Sequence, residues 1–204
     1  MGRARRSPLT WMALAFCAAL ALALVLVGHF GAKAGISLGL RATARLAFLL
    51  FFPAYVGGPL VSLFGPAFLP LRSYAREFGL AFAAAISVHL GLIAYRSALG
   101  DPPSMNTFIV FGAAALCTYA LALLSIPHVR QWLPEALWPA FRFVATNYIA
   151  YAFIRDFVDF DPGRLHDLIA YLPFVTLAIG GLILNLAAQA KVFVQRFGKP
   201  RVFQ

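Results

Sequence analysis

The stretch SPLTWMALAFCAALALALVLVGHFGA, residues 7–32, holds 26 uncharged residues between Arg6 and Lys33. A helix needs about 20 residues to cross a hydrocarbon core of ~30 Å, so this stretch is long enough to span a membrane. The whole chain is 62% apolar and only 12% charged, well outside the composition of a soluble domain. Because a chain of 204 residues cannot hide that excess in a core, its outer surface must face lipid. An ordinary soluble domain, a disordered chain and a secreted disulfide scaffold are excluded.

Five more apolar segments follow, separated by charges and by Pro- or Gly-rich turns. The predicted spans are residues 10–30, 46–65, 78–95, 105–126, 137–154 and 168–190. The fifth is the most polar, but Arg142 lies close enough to its start to reach the interface. The sequence therefore predicts an all-α, polytopic membrane protein, a six-transmembrane-helix bundle over residues 10–190. Residues 1–9 form a cytoplasmic N-terminal segment, and residues 191–204 a cytoplasmic basic tail.

The distribution of Lys and Arg predicts the orientation. Eleven lie on the side of the two termini and six on the other side, so both termini are expected in the cytoplasm of a cell inner membrane. The first segment is too long for the apolar region of a cleaved signal peptide. The net charge of +10 is explained by topology and by attraction to anionic lipid, and no nucleic-acid partner is expected.

His89 is the deepest ionisable residue of the predicted bundle. It lies 13 residues beyond Arg76, about 20 Å along the third helix. A histidine at this depth either bonds a polar side chain of a neighbouring helix or serves as an axial ligand of a haem. The residue type alone leaves both interpretations open.

Two further patterns concern helix contacts. Small residues recur every four positions along the third helix and predict a close contact with a neighbouring helix; they are Gly79, Ala83, Ser87 and Gly91. The fifth helix carries a polar stripe that should face the bundle interior and form structural hydrogen bonds; its members are Asn147, Tyr148, Tyr151 and Arg155.

The remaining polar residues carry weaker signals. Interfacial solvation explains the other histidines, which are His29, His128 and His166. The acidic side chains on the outer side are expected to form a solvated loop; they are Asp156, Asp159, Asp161 and Asp167. Cys17 and Cys117 lie in apolar runs and are interpreted as small hydrophobic residues. No motif of soluble enzyme chemistry is present, so no catalytic centre is predicted.

Short motifs along the chain resemble a known family. The segments REFGLAF at residues 76–82 and HLGLIAY at residues 89–95 resemble the ferric-reductase-like transmembrane domain. The nearest branch contains the haem-binding membrane subunit of the bacterial methionine sulfoxide reductase system. The resemblance covers about residues 41–190. It implies six helices, cytoplasmic termini and electron transfer through haem b, with axial histidines on the third and fifth helices; His89 takes the third-helix position.

The fifth helix departs from the family pattern. Phe141 stands where its first histidine belongs, and Ile154 where its second would fall, so bis-histidine ligation is not available. Three interpretations stay open: a five-coordinate haem on His89, a sixth ligand from Tyr148 or Tyr151, and a fold that persists without haem. We predict direct contact between His89 and Tyr151, or a helix separation too small for haem.

The sequence leaves two main functions open. The first is a haem-b or quinone-linked electron-transfer subunit that receives electrons from a separate redox protein. The second is a non-catalytic accessory or assembly subunit of a larger membrane complex. A small-solute transporter is weighted least, because no inverted repeat or pair of broken helices is visible.

Overall fold

The structure, a computed structural model, describes residues 7–158 and 165–197. All regular elements within these ranges are helices, which confirms the predicted all-α class. They are α1 (Pro8–Phe64), α2 (Leu69–Ser73), α3 (Ala75–Ala98), α4 (Met105–Leu124), α5 (Pro127–Arg130), α6 (Leu137–Val158) and α7 (Leu165–Phe197), with a 3-10 turn at Pro66–Phe68 between α1 and α2.

Helix α1 contains the first two predicted spans and is broken at Gly31. Its φ of 75° and ψ of 171° lie in a region that is essentially restricted to glycine. The break separates a first limb, α1a (residues 8–30), from a second limb, α1b (residues 32–64). Ser7 caps the N-terminus of α1a, and its hydroxyl accepts a hydrogen bond from the Thr10 N–H at 3.3 Å.

The two limbs form an antiparallel hairpin with a seam of small residues. A Cβ atom added to Gly35 would lie 2.5 Å from the Leu26 carbonyl oxygen, so the two backbones touch there. The Cβ of an alanine at position 39 would lie 4.0 Å from the Cα of Ala23. Buried small residues recur every four positions on both limbs; they are Ala15, Ala19 and Ala23 on α1a, and Gly35, Gly39, Thr43 and Ala47 on α1b.

Of the other long helices, α3 and α7 pack directly against α1. Helix α3 contacts both limbs, and its Phe78 ring lies 5.2 Å from that of Trp11. Helix α7 contacts α1b and α6, and α6 contacts α4. The core between α1b, α6 and α7 is aromatic: the Phe157 ring lies 5.0 Å from Phe48 and 5.3 Å from Phe174. Contact between α3 and α4 is sparser, and space remains between the helices there.

Four of the described helices are long and apolar enough to cross a membrane by length and composition: α1, α3, α4 and α7. Their outer faces expose large apolar side chains, such as Leu24 at 63% and Leu116 at 73%. An apolar exterior of this kind is typical of a membrane protein. Helix α6 is helical where the fifth span was predicted, but it is not among these four.

Two sequence predictions need correction. The second span was predicted to begin at residue 46, whereas α1b begins at residue 32. Lys and Arg are good helix formers and no proline interrupts residues 32–45, so the charged stretch continues the helix. The small-residue stripe on α3 is not a close contact along its length, because added Cβ atoms at Gly79 and Gly91 would meet nothing within 4 Å. In the middle of the stripe, the Ser87 hydroxyl forms a hydrogen bond of 2.9 Å with the Tyr119 hydroxyl of α4.

Several predicted features fall outside the described part of the chain. They are most of the N-terminal segment, the acidic side chains of Asp159, Asp161 and Asp167, the side chain of His166, and the end of the basic tail.

Candidate functional site

A cavity of about 730 Å³ opens beside His89, between α1b, α3, α4, α6 and α7. This volume is within the usual range for ligand and cofactor pockets. We call it the outer cavity. Its walls are mostly apolar and include several aromatic rings; among them are Phe82, Phe108, Phe111, Phe153 and Phe157. Charged side chains also line it; they are Arg41, Arg45, Arg96 and Asp156. The rings of Phe82 on α3 and Phe153 on α6, which both line the cavity, lie 5.9 Å apart.

The ring of His89 is held by α1b. Its Nδ1 lies 3.0 Å from the hydroxyl oxygen of Thr43, and that hydroxyl donates its own hydrogen to the Gly39 carbonyl at 2.7 Å. Since a hydroxyl has one hydrogen, Thr43 accepts from His89, and we assign the N–H of a neutral ring to Nδ1. In this tautomer Nε2 carries a lone pair, the form in which histidine binds a metal.

The hairpin register places this pair near the middle of the bundle. Residue 35 lies opposite residues 26 and 27, and residue 39 lies opposite residue 23. Continued for one more turn, the register sets Thr43 level with Ala19, which is the midpoint of α1a. His89, which bonds Thr43, therefore lies near the middle of the bundle.

Arg45 lies at a similar depth, where the sequence analysis placed the edge of a span. Its guanidinium carbon stands 4.7 Å from the centre of the Tyr171 ring and 5.5 Å from that of Phe174. Its Nε is buried and has no hydrogen-bond partner among the described residues. A buried donor without an acceptor is costly, so this group favours a ligand that brings an oxygen acceptor into the cavity.

The predicted partners of His89 lie elsewhere, so direct contact with Tyr151 was the wrong prediction, and the cavity of about 730 Å³ beside His89 counts against the alternative prediction of a helix separation too small for haem. The Tyr148 hydroxyl donates to the Val110 carbonyl of α4 at 3.3 Å. Tyr151 is 48% exposed on the outside of the bundle. The polar stripe of α6 therefore does not share one inward face. Asn147 does point inward, where it accepts from the Tyr55 hydroxyl at 2.8 Å, in the structural role that was expected for the stripe.

The donor set of the outer cavity fits a haem with one protein axial ligand. His89 offers one nitrogen, the aromatic walls suit a flat apolar ring, and Arg45 suits a carboxylate such as a haem propionate. On the α6 wall the lining residues are Ile149, Ala152, Phe153, Asp156 and Phe157, and none is a nitrogen or sulfur ligand. The described residues hold no group of three or more side chains of metal-ligand type.

Sequence reasoning found His89 but missed Thr43, Arg41 and Arg45. The reason is that charged residues were used to mark the ends of spans, which removed Arg41 and Arg45 from the bundle. A signal was present, because Ser37, Arg41 and Arg45 are each four residues apart and share one face of a continuous helix.

Comparisons with known proteins found no match of any of the three kinds that were sought. No protein-family model matches the sequence, no curated protein matches it, and no solved structure matches it.

Proposed function

We propose that the protein is a six-span membrane subunit that transfers electrons through a haem b held in the outer cavity, with His89 as the single protein axial ligand. The observation that carries the proposal is the combination at mid-depth of a fixed His89 ring and the cavity of about 730 Å³ that this residue lines. The resemblance to the ferric-reductase-like family, carried by residues 76–82 and 89–95, supports the same function.

Each part of the cavity has a separate task in this proposal. When bound, haem supplies one-electron chemistry. Thr43 fixes the orientation and tautomer of His89, as partners of metal-ligating histidines commonly do. Arg45 provides a donor for an acidic group of the ligand, and the phenylalanine walls exclude water. In this proposal a separate redox protein supplies the electrons.

The six-span topology is part of the same proposal. The break at Gly31 divides α1 into two limbs of 23 and 33 residues, each long enough to cross the bilayer. Helix α6 would be the fifth of the six spans, since it packs between α4 and α7 and its buried side chains are apolar. The excess of Lys and Arg at one end supports cytoplasmic termini.

The test is the optical spectrum of the full-length protein purified in detergent. We expect a haem absorption band that shifts on reduction with dithionite and is lost in His89→Ala. The matched control is His29→Ala, because His29 lies outside the cavity and packs against Phe30 near the end of α1a. Arg45→Gln should lower haem retention without abolishing it.

Other outcomes would contradict the proposal. A folded, colourless preparation from cells supplied with haem would favour the accessory or assembly subunit. A stoichiometric quinone in the solvent extract of such a preparation would favour a quinone-linked protein instead.

A further inference from the structure

A second cavity, of about 940 Å³, lies at the opposite end of the bundle, between α1b, α2, α3, α4, α6 and α7. We call it the inner cavity. Phe82, Thr118 and Ile149 line both cavities and therefore stand between them. Three arginines line the inner cavity, Arg72 from α2, Arg76 from α3 and Arg142 from α6, and no acidic residue is among its described lining residues. Three separate elements thus bring like charges to one space.

The three arginines are positioned by the fold. The backbone of Arg72 packs on α1b where a glycine leaves room, since a Cβ at Gly57 would lie 3.2 Å from the Cα of Arg72. Arg76 donates to the Ser125 carbonyl at 2.9 Å, which ties it to the end of α4. Arg142, from the second turn of α6, lines the same space as Arg72.

Two of these guanidinium groups keep all their donors available. The side chains of Arg72 and Arg142 make no hydrogen bond or ion pair in the described part of the chain. Repulsion between neighbouring cations falls when an anion binds between them. Arginine is the side chain best suited to a phosphate group, because its planar fork donates two parallel hydrogen bonds.

We propose that the inner cavity is a binding site for a phosphate group, held by Arg72, Arg76 and Arg142. Such a group reaches a membrane protein either as the headgroup of an anionic lipid or as a free phosphate compound. Basic pockets between membrane helices are known to bind anionic headgroups. Trp138 lines the same cavity, with Arg130 over one face of its ring, and Leu69 is exposed on α2 three residues before Arg72; both provide apolar surface for an acyl chain.

The experiment is native mass spectrometry of the full-length protein in detergent, titrated with phosphatidylglycerol or phosphatidylcholine. We expect phosphatidylglycerol to bind the unmodified protein at least about tenfold more tightly, because both lipids carry a phosphate but the choline cation of phosphatidylcholine is repelled by the arginines. The double variant Arg72→Gln/Arg142→Gln should lose that preference. The control is the double variant Lys33→Gln/Arg155→Gln, which removes two positive charges at the other end of the bundle. This variant should keep the preference for phosphatidylglycerol.

A parallel arm uses inorganic phosphate. If phosphate raises the melting temperature of the unmodified protein but not of the Arg72→Gln/Arg142→Gln variant, while both lipids bind alike, the ligand is a free phosphate compound. If the double variant fails to fold, the single variant Arg142→Lys replaces it. Lysine keeps the positive charge but lacks the planar guanidinium group, so this variant should bind the preferred probe of the unmodified protein more weakly. Equal binding of each probe by the unmodified protein and the variants would overturn the proposal.

Discussion

Single residues set the closest contacts of this bundle. Gly35 allows the backbones of α1a and α1b to touch, whereas Gly28 on the same hairpin faces open space. Both are helical glycines and both look alike in the sequence. The space around the two glycines differs only because the two limbs pack against each other at Gly35. Substituting each glycine in turn therefore separates the effect of packing from that of helix propensity.

Gly35→Ala is expected to destabilise the protein by about 1–3 kcal/mol, because its Cβ would overlap the backbone at Leu26 and Val27. Gly28→Ala should be neutral or stabilising by up to ~1 kcal/mol, as alanine is the better helix former. Thermal unfolding of the two variants in detergent measures the difference. Equal melting temperatures would show that the hairpin is not packed as described.

At the residue scale, the sequence predicts part of the site. His89 stands out because an ionisable residue deep in an apolar helix is rare. Its hydrogen bond to Thr43 joins residues that are 46 positions apart in the sequence, and no local sequence pattern predicts such a pair. The inner-cavity arginines were recognised only as a topology signal, because their convergence depends on how α2, α3 and α6 pack.

At the scale of elements, helix α1 shows how charge and conformation compete. The 57 residues of α1 read as two apolar runs with a basic stretch between them. The basic stretch stays helical and carries Arg41 and Arg45 into the bundle, and the chain turns only at Gly31. Because charges alone were used to mark the end of the segment, the second span was predicted to begin at residue 46, which is 14 residues after the start of α1b at residue 32.

The hairpin predicts opposite accessibility for the two ends of α1b. In a variant without Cys17 and Cys117, Lys33→Cys should react with a membrane-impermeant maleimide added to intact cells. Phe64→Cys, which replaces a side chain that is 61% exposed at the other end, should react only after the membrane is opened. If both cysteines reacted in intact cells, α1b would not cross the membrane, and the reverse pattern would place the termini outside.

At the scale of the whole molecule, the two ends of the bundle differ in charge and in kind of cavity. The inner cavity is lined by three arginines and no described acid, while the outer cavity combines a fixed histidine with arginines, an aspartate and aromatic walls. Periodicity and charge-free runs predicted the all-helical class and the positions of most helices. They could not predict the cavities, because empty space between helices depends on contacts between residues far apart in sequence.

The account rests most heavily on His89 as the one protein ligand of a haem in the outer cavity. Electron paramagnetic resonance of the oxidised, full-length protein tests this directly, because ligation by one histidine favours a high-spin iron and ligation by two strong-field nitrogens a low-spin iron. We predict a high-spin signal that disappears in His89→Ala and persists in His29→Ala. A low-spin signal, or any haem signal that His89→Ala leaves unchanged, would contradict the account.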